Sequence, residues 1–183
     1  ELHDRPITII ALDPGTKHLG VSILRGTLNG TPELLSSQTI VCNGNELAIR
    51  ATADEHGELV ARIYYLVDKL MDIVLTEDLD YIVSESPYMG KFAASFAALT
   101  TLLSLIRYRV FRDTDLFRLH LLTPSEVKEY MGVKGTSGDK DLMTKALLKF
   151  NLSTSVDLSA LDEHAVDATC VGLKFLSELI GGE

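Results

Sequence analysis

The sequence predicts an α/β protein, a mixed five-stranded sheet flanked by helices. Three observations carry this. Two apolar segments separated by a tight turn, in "ITIIALDPGTKHLGVSIL", open the chain. Segments of helical period then alternate with short apolar runs, and a long helical pattern closes it.

Ile7 to Leu12 form the first strand, and Leu19, Val21 and Ile23 alternate with Gly20 and Ser22 in the second. Residues 33–42, "ELLSSQTIVC", read as a third. Residues 46–75 read as one helix, in which Leu59, Val60, Ile63, Leu66, Val67, Leu70, Met71 and Val74 follow the helical period. "DYIVSES", 80–86, is a buried strand ended by Pro87. Residues 91–112 form a helix apolar on most sides: Phe92, Phe96, Leu99, Leu103, Ile106 and Val110 make one stripe, and Ala93, Ala97, Leu102 and Leu105 widen it, with Leu102 expected on the face turned from the sheet, where a second copy of the chain would dock. A fifth strand is predicted over 116–122. Thr123-Pro124-Ser125-Glu126 then carries a capping box with proline at the first helical position. A glycine-rich loop at 132–140 precedes helices at about 139–150 and 161–180. The crossover strands are expected to run parallel to the first strand, in one domain spanning 1–183.

The composition is that of an ordinary globular chain, with no low-complexity segment or repeat. No apolar run reads as a membrane span, and the start, "ELHDRPIT", has no signal-peptide pattern. Two cysteines in apolar surroundings, Cys42 and Cys170, point to a reducing compartment and have no zinc-site spacing. The net charge of −9 argues against a generic nucleic-acid binder. Residues 88–150, however, hold ten Lys and Arg against six Asp and Glu, a basic zone on an acidic body.

Asp13 interrupts a buried hairpin, where a carboxylate is costly unless paired or bound to a metal. A turn-starting role before Pro14-Gly15 is the plain alternative. Glu85 ends the fourth strand, and ligand sites in open α/β sheets gather at such strand ends. In "LDEHAVDA", Asp162 and Glu163 fit helix capping, whereas His164 and Asp167, three apart, share a face. Oxygen donors from Asp13, Glu85 and Asp167 suit magnesium or manganese. Two such ions would clamp a phosphodiester, with His164 a ligand, a base or a positioner of water.

These segments resemble those of the RuvC Holliday-junction resolvases, within the RNase H-like superfamily. "IIALDPGTKHLGVSIL" is similar to their first hairpin, "IVSESPYMGK" to their fourth strand, "VKEYMGVKGTSGDKDLM" to their segment with DNA-contacting lysines, and "DEHAVDA" to their last catalytic helix. The resemblance implies an RNase H-like fold and a homodimer that cuts four-way DNA junctions by paired, metal-dependent hydrolysis, leaving a 5′-phosphate and a 3′-hydroxyl. It implies Asp13, Glu85 and Asp167 as metal ligands, with Asp162, two residues before His164, as a further candidate. His164 stands where many members have Asp and some have His. It implies Tyr88 as an aromatic stacking on bases near the crossover, and Lys128 and Lys140, with Lys134 between them, as contacts to phosphate. The expected setting is the cytoplasm of a bacterium or phage-infected cell, or an organellar matrix.

Two other readings share parts of the pattern. Short YqgF-type nucleases share the first hairpin but lack the long helix and the 123–150 segment. Actin-like kinases and ATPases also use Asp-x-Gly-Thr before an apolar strand, but need two such domains around a nucleotide.

Overall fold

In a computed structural model, the structure describes residues 5–44, 47–90, 93–133 and 141–181. Strands β1 (Ile7–Asp13), β2 (His18–Gly26) and β3 (Glu33–Val41) form an antiparallel meander. Helices α1 (Leu47–His56) and α2 (Glu58–Val74) lead to β4 (Tyr81–Glu85), and α3 (Ala93–Asp113) leads to β5 (Leu119–Leu122). Helices α4 (Pro124–Tyr130) and α5 (Leu142–Lys149), strand β6 (Ser153–Thr154) and α6 (Glu163–Ile180) complete the chain.

The sheet has six strands rather than the expected five, in the order β5-β4-β1-β2-β3-β6. The addition, β6, is a two-residue edge strand parallel to β3, too short to leave a periodic signal. As expected, β4 lies parallel to β1, and β5 parallel to β4.

Both faces of the sheet are covered, which is why β1 reads as an unbroken apolar run. Ile10 and Leu12 pack under α2 and α3, whereas Ile9 and Ala11 pack under α6 with Val127 and Leu147 of α4 and α5. Helix α6 sits close against the strands. A Cβ on Gly20 would stand 2.1 Å from the carbonyl oxygen of His164, and one on Gly172 would stand 2.3 Å from a methyl of Leu24. A buried hydroxyl network fixes the same contact. Ser22 Oγ lies 2.8 Å from both Ser37 Oγ and Thr169 Oγ1, and Thr169 donates to the carbonyl of Ala165 at 2.8 Å.

Several elements differ from the sequence reading. The 46–75 helix is two helices, because Gly57 has φ of 86°, outside the helical region and open to glycine. Strand β5 begins at Leu119, and the preceding Phe117 projects into solvent, 95% exposed. Leu102, expected on the outward side of α3, is fully buried with Leu103, Ile106 and Val110. The outward side instead carries Tyr108 and Phe111, both exposed. By length and composition alone α3 is apolar enough to cross a membrane, contrary to the sequence reading. In the fold it packs on α2, to which Arg109 is tied by a 2.7 Å ion pair with Asp68. The capping box is present as read: Glu126 N donates to Thr123 Oγ1, and Thr123 N donates to the Glu126 carboxylate at 2.7 Å.

Candidate active site

Asp13 is the last residue of β1 and Glu85 the last of β4. Leu12 is in register with Ser84 on the parallel pair, so the two carboxylates end adjacent strands. Side chains alternate along a strand. Ala11 and Val83 point to the α6 side, so Asp13 and Glu85 point there too. Helix α6 brings His164 and Asp167 to the same end of the sheet.

His164 Nδ1 lies 2.8 Å from Asp13 Oδ2, and its partner's side chain is only 14% exposed. The direction of Asp13's effect on His164 is that of a ring N–H at Nδ1 donating to the carboxyl oxygen. The hydrogen bond to Asp13 holds the His164 pKa above its usual value against the opposing effect of burial. Its ring stacks on that of His18, centroids 5.2 Å apart and planes 4° from parallel.

The carboxylates crowd one another. Burial, and then the negative charges of Asp13 and Asp167, push the pKa of Glu85 up to about 8. Burial and then Asp13 push Asp167 up to about 6. Lys128, on α4, pulls both back down, which places its positive charge in the same field. Below this group, burial and the same two acids push the Cys170 thiol up beyond its ordinary range.

Among the described residues, no three acidic, histidine or cysteine side chains are gathered tightly enough to form a finished metal cage. The donor set nevertheless fits a hard divalent cation. It consists of carboxylate oxygens, it is partly buried, and its mutual repulsion is the kind a cation relieves.

The remaining predicted residues fall in different places. Asp162 is the N-cap of α6: its Oδ1 accepts from Ala165 N at 2.9 Å and from the Thr39 hydroxyl. Burial raises its pKa, but these hydrogen bonds outweigh it and the net shift is downward. Tyr88 is 76% exposed beside exposed Met89, so it is not a core residue. Lys134 and Lys140 lie outside the described residues. The sequence reading missed His18 and the Ser22–Ser37–Thr169 network. His18 left no periodic signal, since only folding brings it onto His164.

Sheet order, covering helices and the acidic strand ends together define an RNase H-like α/β fold. Among solved structures, the chain is similar to Thermus thermophilus RuvC in complex with a Holliday junction substrate. The two share 13% identity over 96% of this chain and 97% of that one, with a TM-score of 0.70. It is also similar to the yeast mitochondrial Holliday junction resolvase, at 11% identity over 92% of this chain and 77% of that one, TM-score 0.59. The fowlpox virus resolvase, in complex with substrate Holliday junction DNA, matches at 12% identity over 95% and 99%, TM-score 0.52. By sequence, no family model and no curated protein matches.

Proposed function

We propose that this chain, acting as one domain, is a structure-selective endodeoxyribonuclease that resolves four-way DNA junctions by paired phosphodiester hydrolysis. The observation that carries the reading is the convergence of Asp13, Glu85 and Asp167 on the α6 side of adjacent strand ends, with two of the three held protonation-prone by burial and mutual repulsion. Nothing in the packing of the sheet requires three acids there. The similar structures include resolvases in complex with junction DNA.

Asp13, Glu85 and Asp167 would hold magnesium or manganese, two ions per site; Asp162, already engaged as a cap, is the weaker candidate. Bound there, the metal would supply charge neutralisation at the scissile phosphate and acidify the attacking water. Asp13 orients the His164 ring through Nδ1, which leaves the lone pair of the neutral ring on Nε2, an atom able to accept or position a water proton. Lys128 offers a phosphate contact beside the acids. Exposed Tyr88, three residues after Glu85, offers a surface on which an unpaired base can stack.

Paired incision needs two sites, and a two-fold dimer provides the second without new sequence. The surface proposed for it is the outward side of α3 with the open edge of β5. There Tyr108, Phe111, Phe117 and Leu121 are exposed around one groove, flanked by Arg107 and Arg118. The cytoplasm or an organellar matrix is the proposed setting; both cysteines are buried and free.

The deciding experiment incubates the protein with a synthetic four-way junction, with and without magnesium. Metal-dependent, symmetrically paired cuts support the reading. Intact junctions, or equal cutting of linear duplex, overturn it.

A further inference from the structure

Beside the acidic site lies a second pocket, of about 690 Å³, whose lining includes the four basic side chains Lys17, His18, Arg50 and Arg62. It is at the active end of the sheet. Strand β2 runs antiparallel to β1 with Gly20 opposite Asp13, so Lys17 and His18 lie just past that pairing. His18 faces Val41 at the end of β3, and Cys42 N donates to the carbonyl of Lys17 at 2.9 Å, which closes the floor. Through the stacked rings, the wall is continuous with the site: Asp13 binds His164, and His164 lies on His18.

The opposite wall comes from α1 and the start of α2, with Arg50, Asp54, Glu58 and Arg62. The break at Gly57 sets α1 apart from α2, and Arg50 and Arg62 line the pocket from the two sides of it. Arg62 is incompletely engaged. Its Nη1 is 3.5 Å from Glu58, at the limit of a hydrogen bond, and its buried Nε has no partner among the described residues. Lys17 and Arg50 are exposed, with no carboxylate partner among the described residues.

Three permanent cations meeting at one end of a chain of net charge −9 outnumber the two carboxylates between them. Guanidinium and ammonium groups of this kind match phosphate oxygens.

We propose that Lys17, His18, Arg50 and Arg62 form a phosphate pocket that seats the backbone of the DNA strand running past the acidic site over β2 and β3. This rests on the junction-cutting reading above and adds a contact on the opposite flank of the site from Tyr88 and Lys128. Each neutralised phosphate releases counterions, so losing contacts flattens the salt dependence of binding.

The test measures binding of a fluorescent four-way junction, without metal, across a salt series. Lys17→Ala/Arg50→Ala is expected to bind about tenfold more weakly, with the slope of log affinity against log salt reduced by about one to two. Asp54→Asn/Glu58→Gln, which removes the acids from the same wall, is expected to bind more tightly, a gain that misfolding does not produce. Arg25→Gln, at the far end of β2, is expected to bind like wild type. Wild-type affinity and slope in the Lys17/Arg50 variant, while the wild-type protein binds junctions, overturn the pocket alone. A wild-type protein that binds no junction overturns the junction reading and the pocket with it.

Discussion

Asp13 and His164, separated by 151 positions in the chain, are joined by a 2.8 Å hydrogen bond between Oδ2 and Nδ1. The bond spans the end of β1 and the first turn of α6. It explains why an acid ends a buried strand: Asp13 has a partner on one oxygen and an open flank toward Glu85 and Asp167. Asp13→Asn keeps the size of the side chain and removes its charge. Junction cutting is expected to fall by about a thousandfold or more, equivalent to about 4 kcal/mol. Junction binding is expected to persist. Single-turnover cleavage beside a binding titration checks both, and near-normal cutting would return Asp13 to the status of a turn residue.

The raised acids predict an unusual pH dependence of stability without metal. Glu85 ionises near 4.5 in the unfolded chain and near 8 in the fold. Between those values the unfolded state binds fewer protons, so stability falls as pH rises, with the penalty complete above about pH 8. Asp167 adds the same sign between 3.8 and about 6. His164, raised by Asp13, contributes stability present below its unfolded value of 6.5 and lost as pH rises through its folded value. All three effects run downhill with pH. Magnesium is therefore expected to raise the melting temperature more at pH 8 than at pH 5, and Glu85→Gln to be more stable than wild type at pH 8 without metal. Melting curves that are flat with pH and indifferent to magnesium would contradict this.

Tyr88 is exposed, so its removal has little to do to the fold. Tyr88→Ala is expected to leave the melting temperature nearly unchanged while weakening junction processing by about 1–3 kcal/mol, the usual worth of one stacked base. Tyr88→Phe is expected to be nearly neutral. Parallel loss of melting temperature and activity in the Ala variant would mean that it supports structure instead.

The two sides of α3 predict opposite outcomes. Phe111→Glu, on the exposed side, is expected to give folded monomers that nick slowly and without pairing. Leu102→Glu places a charge where no solvent reaches and is expected to prevent folding. Leu102→Ala is expected to cost about 2–5 kcal/mol. Sedimentation and a plasmid cruciform assay read the first variant, and denaturant melts read the last. A Phe111→Glu protein that remains dimeric moves the interface elsewhere.

The sequence by itself determined the strand meander, the alternation of helix and strand, the α4 capping box and the candidacy of Asp13, Glu85, His164 and Asp167. Each rests on periodicity or on a local motif within a few residues, and backbone geometry imposes such patterns without reference to the rest of the chain. The tertiary structure alone decided the sixth strand, the break at Gly57, the inward turn of Leu102 and the stacking of His18 on His164. Strand β6 is too short for a period. A glycine at positive φ looks in sequence like a glycine tolerated in a helix. On a helix apolar nearly all round, only packing against α2 and the sheet chooses which side is buried. The site itself divides the same way: its residue types were legible one by one, but their shared field, which lifts Glu85 to about 8, exists only where β1, β4 and α6 meet.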